Sequence, residues 1–316
     1  MAEFTEVGYA MGTFLETRFE KDPVSADKEI RGIFRKVEEA ASFFLPGSDV
    51  SRINDKAGEE PVEAGPLLAA LLRKALEAAR FTQGFFDPAI GSLTGLWHIG
   101  QENEHIPSQR EEEEAKRLVN YRKVRMRGNQ VFLEEKGMAL DLGGIAKEEA
   151  LWASALLAES YGLAGMIDAG GDMALAGRKE DGSAWRIGIQ HPRRRGQLAA
   201  AFSLDEENMV ETSGDYRRFL LREGRFQSHI FGAVDQRDPL VSATLVYRRG
   251  RAHPPLYGSA CIAGGLDHVA SWLERLAGME GIFITAGMKV YVTEGLAFRV
   301  KVLAEGAQKK ALILHR

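Results

Sequence analysis

The run Asp141-Leu142-Gly143-Gly144-Ile145-Ala146-Lys147 puts an acid, two glycines and a lysine just ahead of a helical pattern. Glycines permit positive φ and close backbone approach. Free N–H groups at a helix start attract anions, and a lysine adds a point charge. The same residues would equally make a tight strand-to-helix turn with a solvent-facing lysine. Glu148 and Glu149 follow at once, where a phosphate would not welcome them. A second diglycine, Gly170-Gly171, lies between Asp168 and Asp172, either as a plain turn or as a bare surface for a flat or phosphorylated ligand. Thr212 and Ser213 offer hydroxyls before Gly214. His229 can serve as a base near neutral pH, although a lone histidine is more often structural. No HExxH or GxSxG is present, and no two of these motifs form a metal pattern by spacing.

Elements must hold these residues. A strand reads at 12–19, and apolar residues recurring from Ile30 to Phe44 mark one stripe of a helix. Pro46 and Gly47 break that stripe. A second helix reads from Pro66 to Phe81, and "TQGFFDPAIGSLTGLWHIG" reads as ordered loop. "SQREEEEAKRLVNY" opens with an acidic first turn, as a helix would. "KVRMRGNQVFLEE" is a hairpin about Gly128-Asn129. A strand at 138–141 leads into the Asp141 loop and a helix from Ile145 to Tyr161. "GMIDAGGDMALAG" reads as one buried strand ending in a tight turn. Strands follow in "WRIGIQHP" and "SATLVY", with strand, turn and strand in "TSGDYRRFLLREGRFQSHIF". A helix beginning near Leu266 and three closing strands complete the chain. The alternation is mixed α+β rather than a βαβ series.

The 316 residues allow one large or two small domains. A net charge of −4 argues against a general nucleic-acid binder, and "RRR" at 193–195 and "YRRGR" at 247–251 read as solvated loops. Cys261 is the single cysteine, so a disulfide within the chain is excluded. No run is long and apolar enough for a membrane span, and no signal-peptide pattern opens the chain, which reads as cytoplasmic.

Taken in order, "AMGT", "SDVSRIN", "GFFDPAIG", Leu96-Trp97, "DLGGIAK", "DAGGDMALAG", "TSGDYRRF" and "SHI" resemble the FAD:protein FMN transferase (ApbE-like) family over nearly the whole chain. The resemblance implies a single α+β domain over 1–316, or two closely packed lobes. Its mixed sheets with packed helices would be T-fold-like, with the flavin site between the halves. It implies FAD as ligand and a divalent metal, usually Mg²⁺. The FMN moiety would pass to a threonine or serine hydroxyl of an acceptor flavoprotein, and some members instead hydrolyse FAD. Carried over residue by residue, Met11, Phe44, Phe85, Phe86, Asp87, Asp141, Lys147 and Ile230 would contact FAD. Gly144 would offer a carbonyl to the metal, Ser259 a hydroxyl, and His229 would assist proton removal.

Departures from the family pattern cluster on the metal and diphosphate half. Counted back from the last helix, the family's metal-binding Asp falls on Pro255 and its Thr on Ser259. A neutral oxygen without a carboxylate is a poor Mg²⁺ anchor. His253 and Asp267 are the nearby substitutes in sequence. Glu148 stands where the family has glycine, Trp152 replaces an aspartate, and "FGAVDQRDP" replaces a "DPRTG" turn. The alternative to transfer is therefore a catalytically impaired FAD- or nucleotide-binding pseudoenzyme, or an accessory protein of the same fold.

Overall fold

The computed structural model describes residues 4–204, 207–222, 224–232, 237–250, 254–303 and 311–315. Strands β1 (Phe4–Ala10) and β2 (Thr13–Phe19) form a hairpin. Helices α1 (Val24–Ala41) and α2 (Asp49–Asp55), the short β3 (Val62–Glu63), and helices α3 (Pro66–Phe81), α4 (Gly91–Trp97) and α5 (Gln109–Leu118) follow. The hairpin β4 (Val124–Arg127) and β5 (Gln130–Leu133) leads to α6 (Gly143–Ser160). Then come β6 (Gly165–Ala169), β7 (Asp172–Ala176), β8 (Arg186–Gln190), β9 (Leu198–Ser203), β10 (Met209–Gly214), β11 (Phe219–Arg222), β12 (Arg225–Ser228) and β13 (Leu240–Tyr247). Helix α7 (Gly258–Glu274) precedes β14 (Met279–Thr285), β15 (Val290–Thr293), β16 (Val300–Val302) and β17 (Leu312–Leu314).

Nine strands form one mixed sheet in the order β1-β2-β6-β7-β10-β13-β14-β15-β17, antiparallel except where β15 meets β17. Period-2 alternation divides its two faces. Met209, Ala243, Leu245 and Phe283 face the main core beneath α1, α3, α6 and α7. Val210, Val241, Val246, Ile282 and Ile284 face a second core under the small sheet β16-β9-β8. Both faces of β13 are covered, which is why "LVSATLVY" is buried at every position. Phe19, Ile30 and Phe34 are fully buried where α1 crosses the sheet, each contributing about 1.5–3 kcal/mol.

The expected helix at 66–81 and the Gly128-Asn129 hairpin are present, and the helix expected in "SQREEEEAKRLVNY" runs over 109–118. Several expectations change. β1 is an additional strand. "SDVSRIND" forms α2, because the Ser48 side chain accepts from the Ser51 N–H and satisfies the helix start. The FFD loop contains α4. The strand expected at 138–141 is only a single bridge, Ile90 to Ala139. "GMIDAGGDMALAG" is two strands. Gly170 and Gly171, at φ 70° and 93°, turn β6 directly into β7. Helix α7 starts at Gly258 rather than Leu266, with a break at Gly265 (φ 74°, ψ 178°) that splits its apolar stripe. No described helix is long and apolar enough to cross a membrane.

Candidate functional site

A cleft of about 1970 Å³ opens where the β1–β2 turn, the FFD loop, the start of α6, the β6–β7 turn and the ends of β10 and β12 meet. Ordinary small-ligand pockets hold about 300–1,000 Å³. Met11, Phe44, Phe85, Phe86, Asp87, Asp141, Gly144, Lys147, His229, Ile230 and Ser259 all line it.

The aromatic wall comes from two loops. Phe44, 42% exposed, stands edge-to-face with Phe43 at 5.0 Å. Phe86 is buried and packs on Tyr257 at 5.0 Å. Phe85 turns toward α7, 4.6 Å from His268 and 5.6 Å from Trp272. Asp87 lines the cleft, but both its oxygens are engaged with backbone. Oδ1 accepts from the Ala89 N–H at 2.8 Å and Oδ2 from the Tyr121 N–H at 2.9 Å. Burial outweighs those two donors and pushes its carboxyl up to about 6. In the β1–β2 turn, Met11 is itself a positive-φ residue, at 50°.

At the start of α6, Gly143 and Gly144 are helical, so the expected positive φ is not their reason. Close approach is, because a Cβ on Gly144 would sit 3.1 Å from the Phe86 ring and 3.7 Å from Ser259 Oγ. Gly144 and Ser259 are therefore neighbours. Asp141 Oδ2 accepts from the Thr94 hydroxyl and Oδ1 from the Gly143 N–H, both at 2.8 Å. Lys147 Nζ donates to Asp172 Oδ2, whose other oxygen accepts from the Thr212 N–H at 2.9 Å. The lysine thus faces the cleft from an ion pair, rather than solvent alone. Glu148 is buried.

His229 follows β12, and its Nδ1 lies 3.0 Å from the carbonyl oxygen of Arg218. A carbonyl only accepts, so Nδ1 carries the hydrogen and Nε2 keeps its lone pair. The ring keeps solvent access along a crowded concave wall. Desolvation there, joined by the charges of Arg218 and Lys147, holds its pKa below 6.5 and leaves it neutral at pH 7.

Sequence reading missed five participants. Thr94 and Asp172 fix Asp141 and Lys147. Arg217 and Arg218 donate to the carbonyls of Gly170 and Gly12, tying together the turns at the cleft mouth. Glu211 is buried in β10, and both its oxygens lie 2.9 Å from the Gly258 N–H that opens α7. Burial, then the nearby carboxylates of Glu148 and Asp172, push its carboxyl well above the usual range. Only the "GGD" and "ETSG" neighbourhoods could have flagged Asp172 and Glu211, since their partners are far away in sequence.

The donor set around Gly144 and Ser259 fits Mg²⁺ poorly. Pro255 has no side-chain ligand, and Glu211 is turned onto a backbone amide. Among the described residues no three His, Cys, Asp or Glu are grouped to hold an ion. His253 lies outside the described residues, as do Arg251 and residues 233–236 of the departing turn.

A family model, the ApbE family, matches residues 11–283. An FAD:protein FMN transferase of Treponema pallidum (strain Nichols) is 28% identical, over 95% of this chain and 90% of that protein. One from Vibrio cholerae serotype O1 is 26% identical, over 76% and 75%. The crystal structure of the ApbE protein from Thermotoga maritima matches at a TM-score of 0.81 and 26% identity, covering 93% of this chain and 98% of that one.

Proposed function

The chain belongs to the ApbE family, and on that premise we propose that it is a transferase moving the FMN portion of FAD to a serine or threonine hydroxyl of an acceptor flavoprotein, with release of AMP. The observation carrying this reading is one cleft that joins an aromatic wall, an ion-paired lysine and a neutral histidine with a free Nε2.

Each part has a task. Phe44 and Phe86 offer faces to a flat isoalloxazine. Lys147 and the N–H groups opening α6 favour the diphosphate, where charge gathers as the bond breaks. The acceptor oxygen forms a bond to the phosphorus on the riboflavin side. The bond from that phosphorus to the AMP half breaks, and AMP leaves with the electron pair. The hydroxyl proton passes to Nε2 of His229. Asp141 and Asp87 act through backbone and hydroxyl partners, shaping the loops that carry Gly143 and Phe86.

In the family a divalent metal neutralises diphosphate charge. Here Gly144 and Ser259 would approach it, but Pro255, where the count placed the carboxylate, offers none, so none of these steps runs through a metal. That gap favours a second reading, in which FAD is bound but not cleaved. The two separate in one assay. Purified protein is incubated with FAD and a flavoprotein acceptor domain, then covalent FMN and free AMP are measured. Tight FAD binding with no AMP over hours contradicts transfer. No FAD binding contradicts both readings.

A further inference from the structure

The β11–β12 hairpin begins just after Arg218 and ends just before His229, so its root is the proposed base. Its two faces differ sharply. Leu220 points inward, 4% exposed, into a small core with Leu93 and Trp97 from α4. Phe219 and Leu221 alternate onto the other face, and Phe226 lies directly across from Leu221. They are 44%, 66% and 48% exposed, and the two phenylalanine rings are 5.5 Å apart. Across the mouth, Tyr9 and Phe14 are cross-strand partners on β1 and β2, each 70% exposed, with rings 6.0 Å apart. All five side chains line the cleft. An exposed apolar face on an anchored hairpin marks an interaction surface.

Arginines gather beside it. Arg193, Arg194, Arg195, Arg217 and Arg218 line the same mouth. Asp215 answers Arg193 in a two-pronged pair, both bonds at 2.7 Å. Arg217 and Arg218 donate to neutral carbonyls, and the Arg217 charge also faces the Asp168 carboxylate.

We infer that this face docks an extended segment of the acceptor polypeptide bearing acidic and apolar residues around the modified hydroxyl. The inference rests on the transfer reading, because a hydroxyl delivered to His229 carries its flanking residues along the hairpin. Charge complementarity sets the acidic character. Phe219, Leu221, Phe226, Tyr9 and Phe14 supply the apolar contacts, with aromatic side chains as anchors. The cleft's size accommodates a dinucleotide and a chain segment together.

The test uses fluorescein-labelled twelve-residue peptides with a central threonine flanked by Asp and Leu, measured by anisotropy on the FAD-loaded protein. A second peptide carries Lys for Asp. The Asp peptide should bind at least tenfold more tightly than the Lys peptide. Phe219→Ser combined with Leu221→Ser, and separately Arg195→Glu, should each weaken it about tenfold while FAD affinity, read from flavin fluorescence, stays unchanged. Equal binding of both peptides, or of neither, overturns the inference. So does a loss of FAD affinity in the same variants, which would make the rim part of the flavin pocket. Self-association by sedimentation that the double variant abolishes would assign the face to a second copy and overturn it too. Peptide binding without AMP release from FAD and an acceptor domain leaves docking standing and sinks only the transfer reading.

Discussion

His229 and Arg218 bracket the β11–β12 hairpin, and the histidine Nδ1 meets the arginine carbonyl at 3.0 Å. That contact fixes the tautomer, so the hairpin that shapes the cleft mouth also prepares the proposed base.

Replacing His229 with Ala should lower the transfer rate by roughly 10²–10⁴-fold while leaving FAD binding within about threefold. The pH profile of the wild-type rate should also report this group. Its pKa is lowered by desolvation, so the active neutral form persists below the ordinary 6.5. The acidic limb of kcat/KM should therefore lie under that value and vanish in the variant. A limb at or above 6.5 would assign the titration to another group.

Lys147→Gln should weaken FAD binding by about tenfold and make it less sensitive to salt, since the ammonium is a cation of α6 that lines the cleft. Asp172→Asn keeps an acceptor for the Thr212 N–H and releases Lys147, so FAD affinity should hold or rise. Isothermal titration at two ionic strengths checks both variants. Equal affinities in wild type and Lys147→Gln would remove the lysine from the site.

Asp87 gives a stability test with a definite sign. Its folded carboxyl titrates near 6 against 3.8 in the unfolded chain. The folded state therefore binds more protons between those values. The stabilisation is complete below about 3.8 and is lost as pH rises through 6. The span corresponds to on the order of 3 kcal/mol. Urea denaturation at pH 4.5 and 6.5 should show a smaller drop for Asp87→Asn than for wild type. An identical drop would place the titration elsewhere.

Much of this was legible in the sequence because local patterns carry it. The α3 stripe, the Ser108 capping box of α5 and the Gly128-Asn129 hairpin are written in adjacent residues. The motif order was enough to collect the cleft's lining residues from six regions of the chain. What stayed hidden depends on contacts across the fold. Lys147 finds Asp172 only after α6 packs on β7, and Glu211 meets Gly258 only once α7 has docked on the sheet. The α7 start was misread because Gly265 interrupts its apolar period.

The departures near Ser259 can be tested by repair. Ser259 sits in the first turn of α7 beside Gly144, and Pro255 precedes that turn. If the missing carboxylate limits turnover, Pro255→Asp with Ser259→Thr should raise Mg²⁺-dependent AMP release by at least about tenfold. An unchanged Mg²⁺ titration would move the defect to the buried acids Glu148 and Glu211.

The most direct measurement mixes the purified protein with FAD and a flavoprotein acceptor domain. Mass spectrometry reads the acceptor, and chromatography reads the nucleotide. An FMN adduct on a serine or threonine, with one AMP released per adduct, is the expected result. Intact FAD recovered from the protein, with an unmodified acceptor and no AMP, would contradict it.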